Sequence, residues 1–211
     1  MGFKPRPACT WSNRFDDPER EFRTAYGSRE PLTAVRETLQ ALRTDIKALA
    51  EFQALFGHGK EPPRRAVSLG WRQRHVLALA RIEASGPVID LEDLELRREL
   101  ELELASDLAA AGIPHLDLSE LRGRQRPVTQ LLARRLYATR GAAGLSYRSQ
   151  LDSGRCVALF EGRGRLVAET VPIPLTEPLR ELHQVCAEFG LELDGAVPEA
   201  GWREPLAPPS D

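Results

Sequence analysis

The chain reads as an α+β fold, a mixed β-sheet core flanked by helices. Three observations predict it. Apolar residues recur at three-and-four spacing over 31–56, 127–140 and 176–189, the mark of helices with one buried face. Short apolar runs rich in valine and isoleucine, bounded by glycine and proline, crowd 76–91 and 144–174 and read as strands. The two kinds of segment are interspersed along 211 residues, enough for a sizeable core.

Residues 1–13 are irregular, with Pro5 and Pro7, and residues 22–27 are a short strand candidate. Pro31 suits a first helical turn, where its missing N–H costs nothing. Leu32, Val35, Leu39, Leu42, Ile46, Leu49 and Phe52 then predict one long amphipathic helix over 31–56, stopped near Gly57. Residues 58–66 are a polar loop. Val76–Ile82 reads as a buried strand and 88–91 as another. Over 92–110 the leucines alternate as in a strand, yet Leu, Glu and Arg favour a helix, which is the assignment made here. Residues 113–118 are a further strand candidate. Pro127 opens a helix with Val128, Leu131, Leu132 and Leu136 on one face, broken at Gly141–Gly144. Strands are expected at 144–147, 155–160, 165–170 and 171–174, with Gly162-Arg163-Gly164 as a turn. Thr176 is placed to cap a last helix that Gly190 stops. Residues 10–190 form the predicted domain, and 193–211 read as a loose tail.

Composition excludes several classes. Hydrophobic content is 42% and charged content 28%, as in globular proteins, and no apolar run approaches a membrane span. The N-terminus lacks the apolar stretch of a secretion signal. Cys9, Cys156 and Cys186 are odd in number and far apart, which fits reduced thiols in a cytoplasmic protein. A net charge of −2 opposes generic nucleic-acid binding. Local basic clusters do occur at Arg122, Arg124 and Arg126, then Arg134, Arg135 and Arg140. They read as a solvated helix face and loop, and only Tyr137 is interleaved as a stacking aromatic. His58, His75, His115 and His183 have no cysteine or carboxylate at metal-ligand spacing, so no metal is expected.

The chemistry-bearing residues sit in two segments. Asn13-Arg14-Phe15-Asp16-Asp17-Pro18 is a turn whose arginine offers a planar fork of donors suited to a diphosphate. The competing assignment pairs Arg14 with Asp16 or Asp17. Tyr26 ends a strand and either packs in the core or meets a ring or ribose hydroxyl. Glu37 lies off the apolar stripe, open to a ligand or to solvent. Near the other end stands Gly144-Leu145-Ser146-Tyr147-Arg148-Ser149. Ser149 precedes a loop able to bring a hydroxyl and backbone N–H groups to a ligand, or else serves as a turn residue.

Together these segments resemble the RES domain, the toxin half of bacterial RES–Xre toxin–antitoxin pairs. The resemblance runs over roughly 10–190. It rests on the arginine turn, on Tyr26 followed by Thr33-Ala34-Val35-Arg36-Glu37, on Thr129-Gln130 with Leu136-Tyr137, and on Gly144-Leu145-x-Tyr147-x-Ser149. It implies an ADP-ribosyltransferase-like fold and consumption of NAD by cleavage of the nicotinamide–ribose bond. The outcome would be glycohydrolysis, phosphorolysis or ADP-ribosyl transfer. It implies Glu37 and Ser149 as catalytic residues and Arg14, Tyr26 and Tyr147 as NAD-binding residues, with an Xre-type helix-turn-helix antitoxin as partner. Two departures keep a second reading open, a catalytically impaired module that binds a nucleotide or antitoxin without turnover. Family members carry an extra strand with a tyrosine–arginine pair upstream of the arginine turn, where only thirteen residues stand here. Their usual proline before the serine is Arg148.

Overall fold

The computed structural model describes residues 3, 4, 6, 9–123 and 126–195. Arg124 and residues 196–211, most of the expected tail, lie outside them. The chain divides into two compact units, Met1–Arg29 with Ala80–Ala168, and Glu30–Leu79 with Glu169 onward.

The first unit is built on a mixed four-stranded sheet. Its strands are β1 (Thr24–Ser28), β5 (Val88–Asp90), β6 (Gly144–Arg148) and β7 (Arg155–Phe160), in the order β1-β7-β6-β5. β7 pairs antiparallel with both β1 and β6, while β5 runs parallel to β6. A parallel pair needs a long crossover. Residues 91–143 supply it as four helices: α4 (Leu94–Glu103), α5 (Ala105–Ala110), α6 (Leu118–Arg122) and α7 (Arg126–Arg140). The sheet buries Leu145, Ala158 and Phe160 against Leu100, Leu132 and Leu136 of the helices. Phe22 stacks on Tyr137 at 4.3 Å and tilts against Phe160 at 4.6 Å. Gly141, at φ 61°, ends α7 where a side chain would be strained. A ribbon of β4 (Ala80–Ala84) and β8 (Gly164–Ala168) completes the unit.

The second unit packs α1 (Pro31–Leu39) on α8 (Arg180–Phe189), burying Val35, Leu39, Leu182 and Val185. Arg36 grips Glu188 with two parallel hydrogen bonds of 2.8 and 2.7 Å. Two short pairs, β2 (Arg65–Val67) with β10 (Leu191–Leu193) and β3 (Val76–Leu77) with β9 (Ile173–Pro174), lie around them. The remaining helices are α2 (Ile46–Phe56) and α3 (Leu69–Gln73). The Arg72 side chain is fully buried and donates to the carbonyls of Asp194 and Gly195.

Four expectations are corrected. The helix over 31–56 is two helices. After α1 and a 3-10 turn at Gln40–Leu42, Arg43 turns extended, and the Asp45 carboxylate accepts the Ala48 N–H to start α2. The apolar stripe ran through the break because α2 buries none of its residues, with Ile46 85% and Leu55 77% exposed. Val76–Ile82 is not one buried strand but parts of β3 and β4, and Val76 and Ile82 are exposed. Residues 113–118 form no strand. Ile113 and Leu116 are buried beneath an irregular passage leading into α6. Thr176 does not cap α8, whose N-cap position is Leu179, with no side-chain cap. Gly190 does end it in the left-handed conformation. No described helix is long and apolar enough to cross a membrane.

Candidate functional site

The arginine turn is held from within by its own acids. Asp16 Oδ2 accepts from both the backbone N–H and the side-chain amide of Asn13, at 2.9 Å each. Asp17, fully buried, accepts the N–H groups of Glu19 and Glu21. Both carboxylates are therefore committed to the turn, and neither pairs with Arg14. Phe15 is the anchor. It is fully buried and its ring packs on Tyr147 with centroids 4.8 Å apart.

With Phe15 turned inward, its neighbour carries a guanidinium over the same tyrosine. The Arg14 carbon Cζ lies 5.6 Å from the Tyr147 ring centre, a cation–π distance. Its Nη2 donates to the Arg122 carbonyl at 3.0 Å. Among the described residues no carboxylate forms an ion pair with it, so its charge is met by a carbonyl dipole and a ring face. Helix α7 pins the backbone beneath. The Thr129 hydroxyl donates to the Arg14 carbonyl at 2.6 Å and Gln130 Nε2 to the Asn13 carbonyl at 2.9 Å. The sequence singled out Thr129-Gln130 without giving it a role. The structure makes it the clamp of the arginine turn.

Tyr26, on β1, is spent on the same turn. Its hydroxyl accepts the Phe15 N–H at 2.9 Å and donates to Asp16 Oδ1 at 3.0 Å. Burial, and then the charge of Asp16, push this phenol well above its ordinary pKa.

Tyr147 and Ser149 lie two residues apart at the end of β6, so strand alternation gives them one side. Ser149 is buried, and its Oγ accepts the Leu151 N–H at 3.0 Å. Asp152 Oδ1 accepts the Gly154 N–H at 2.9 Å, and Ser149 N–H donates to the Gly154 carbonyl at 2.8 Å. The loop is thus a pair of side-chain-closed turns, formed because Ser and Asp mimic a backbone acceptor two residues upstream. Ser153 takes a left-handed φ of 61° within it.

The first unit therefore brings together Arg14, Tyr26 and Tyr147, with Ser149 next along the strand. Glu37 belongs to the second unit. It stands half-buried on α1, where its carboxylate accepts from Gln40 Nε2 at 2.9 Å. Sequence reasoning missed Glu92, which follows β5 and receives both Arg122 and Arg148. A glutamate two residues beyond a strand carries no signal of its own.

Other candidates have structural roles. Arg134 faces Glu19, with Asp17 and Glu21 at 3.7 Å. Arg135 and Arg140 pair with Glu103 at 3.0 and 2.7 Å, and Arg140 with Glu99 at 2.9 Å. These pairs pull Glu103 below the usual carboxylate range. Arg122, Arg134, Arg135 and Arg140 are thus matched by acids, while Arg126 donates to the Ser12 carbonyl. Arg163 of the hairpin turn lies 3.6 Å over the Tyr137 ring and donates to its carbonyl, a packing role. Cys156 and Cys186 are buried, and burial pushes the Cys186 thiol up to about 11. Among the described residues no three His, Cys, Asp or Glu gather as a metal site. A surface groove of about 810 Å³ along α4 and α5 is lined by Arg98, Leu102 and Ile113. Another, about 330 Å³, is lined by Arg64, His183 and Cys186, and neither of these grooves holds a predicted site residue.

These observations define a class: an α+β protein whose mixed sheet ends at an arginine, two tyrosines and a serine loop. The chain belongs to the RES domain family, whose model matches residues 2–184. Among curated proteins and among solved structures, no match to the chain is found.

Proposed function

We propose that this RES domain consumes NAD by cleaving the bond between nicotinamide and ribose. The observation that carries the reading is Arg14. Its backbone is pinned by α7, and its guanidinium lies on the Tyr147 ring, donates to the Arg122 carbonyl and is neutralised by no carboxylate among the described residues. A cation presented this way suits a diphosphate, because a fork of N–H donors can bridge two phosphate oxygens.

In this reading Arg14 neutralises the diphosphate and Tyr147 offers a ring face to the bound nucleotide. Ser149 fixes the ribose or the nicotinamide amide. Tyr26 contributes through the turn it holds, since its hydroxyl is engaged by Phe15 and Asp16. As nicotinamide leaves with the bonding electrons, positive charge develops on the sugar, and Glu37 is the carboxylate that stabilises it. The sugar carbon then takes water, phosphate or a protein nucleophile. The family also motivates a partner, an Xre-type antitoxin that silences the toxin. Co-expression with the neighbouring gene tests it, and separate elution of the two proteins at micromolar concentration would sink it.

The test of the activity is nicotinamide release from NAD, followed by chromatography. Glu37→Gln keeps size and reach but removes the charge, and is expected to lower kcat roughly 100–1000-fold, about 3–4 kcal/mol. Arg14→Ala is expected to act chiefly on KM, because a diphosphate contact exists before and during bond cleavage. No release by wild type would leave the reading of a binding module without turnover. Equal release by wild type and Glu37→Gln would remove Glu37 from the mechanism.

A further inference from the structure

We infer that Glu92 is a positioning residue that couples the Arg14 turn to the Ser149 loop; the inference deepens the nucleotide-binding reading above and rests on it. The case begins with where Glu92 sits. It stands two residues beyond β5. The Leu91 N–H donates to the Ser146 carbonyl on β6 at 3.0 Å, and the Glu92 N–H donates to Asp90 Oδ1 at 3.0 Å. The backbone that carries the carboxylate is thus locked to the sheet at the site end.

Its two oxygens serve two different arginines. Oε1 accepts from Nε of Arg122 at 3.1 Å and also from Nη2. Oε2 accepts from Nε of Arg148 at 3.2 Å. Each arginine then reaches one half of the site. The Arg122 carbonyl holds Arg14 Nη2 at 3.0 Å. Arg148 Nη1 donates to the Ser153 carbonyl at 3.1 Å, inside the loop that Ser149 opens. Ser153 is the residue with the left-handed φ of 61°, a conformation that needs support from its surroundings. One carboxylate therefore orients the arginine whose backbone steadies Arg14 and the arginine that braces the loop.

A simpler assignment makes these two surface ion pairs of little consequence, the usual fate of such pairs. Two features separate this case. The carboxylate is shared, so its loss releases both arginines at once. Each arginine also donates to, or accepts at, a backbone carbonyl that belongs to the candidate site rather than to a neighbouring side chain.

The probe is Glu92→Gln, which keeps the size but offers only one acceptor oxygen. Its amide nitrogen would face a guanidinium. The first readout needs no ligand. Amide hydrogen exchange is expected to rise together in residues 13–16 and 149–154, while the Leu104 and Leu108 amides in α4–α5 stay protected. Exchange rising throughout the unit, in one segment only or in neither would overturn the coupling. The second readout is ADP-ribose affinity by calorimetry. Glu92→Gln is expected to weaken it roughly tenfold, within the range for residues sharing one network. The same change made in Arg14→Ala is expected to cost less than about twofold, because the group it positions is already gone. Equal losses in both backgrounds would assign Glu92 a merely structural role and refute the inference. Wild-type protein that binds no ADP-ribose would refute the nucleotide reading instead, and the exchange pattern would then decide Glu92 alone.

Discussion

Replacing Tyr26 with phenylalanine separates a tyrosine that builds the site from one that waits for a ligand. The substitution leaves the ring and deletes one oxygen. That oxygen accepts the Phe15 N–H at 2.9 Å and donates to Asp16 Oδ1 at 3.0 Å. Phe15 is fully buried, so its N–H is left without a replacement acceptor, which costs about 1–3 kcal/mol. The bond to the Asp16 carboxylate is charge-assisted. Asp16 keeps two donors from Asn13 on its other oxygen, so the second loss falls near the low end, about 1.5 kcal/mol. The combined loss is roughly 3 kcal/mol, or about 6–12 °C in melting temperature for a chain of this size. Urea unfolding followed by circular dichroism measures it.

A pH arm checks the same geometry. The folded-state pKa of Tyr26 is raised, by burial first and by Asp16 second. Folding therefore favours the protonated phenol. Its contribution is complete below the ordinary phenol pKa and is lost as pH rises from there toward the folded value. Wild type is expected to lose stability across that alkaline window, and Tyr26→Phe to lose less. A loss under about 1 kcal/mol for Tyr26→Phe, with an unchanged alkaline slope, would show that the hydroxyl does not hold the turn.

Two further outcomes follow from packing. Gly144→Ala places a Cβ 2.6 Å from the Ala158 carbonyl oxygen and 2.8 Å from Leu159 Cδ2, so β6 must shift against β7. The expected cost is about 3 kcal/mol, the upper end for overpacking, and an unchanged denaturation midpoint would contradict this register. In a thiol titration of the native protein, Cys9 is expected to react readily while Cys156 and Cys186 resist until denaturant is added, because both are buried and the Cys186 thiol is raised to about 11. Prompt reaction of all three would mean that the buried positions open readily.

The fold was legible where pattern and burial agree. α7 was readable from Pro127, Val128, Leu132 and Leu136 because its apolar stripe is the stripe it buries. Strands β6 and β7 were readable because glycines mark their ends and apolar residues such as Leu145, Val157, Ala158 and Leu159 run through them. The reading failed where apolar residues are not buried. Ile46, Leu55 and Val76 continue a hydrophobic rhythm but face solvent, and periodicity records composition rather than contact. The break before α2 was written in Asp45, a capping residue, but the unbroken stripe outweighed it. Arg14, Tyr147 and Ser149 were singled out because they stand in the short local motifs that carry the family resemblance. Glu92 was not, because its meaning lies in Arg122 and Arg148, distant in sequence and brought to it only by the crossover between β5 and β6.

The arginines of this chain show why a candidate anion site needs more than a positive charge. Lys4, Lys47 and Lys60 are the only lysines among 29 basic residues, so nearly every cation here carries a planar fork. Several of those forks tie backbone segments together. Arg72 holds the carbonyls of Asp194 and Gly195, Arg163 those of Tyr137 and Ala142, and Arg148 that of Ser153. Others meet acids, as Arg134, Arg135 and Arg140 do. A lysine could meet an acid equally well, but its single rotating ammonium could not fix a carbonyl and a ring in one geometry. Against that background an arginine in a turn is ordinary. Arg14, like Arg163, lies on a tyrosine ring and meets no carboxylate among the described residues, but it donates to one carbonyl where Arg163 donates to two. One carbonyl takes one of its nitrogens, a tyrosine ring lies beneath it, and the nearby acids are committed to the turn that carries it. The charge is held in place by neutral partners, and that leaves it available to a ligand that brings its own negative charge.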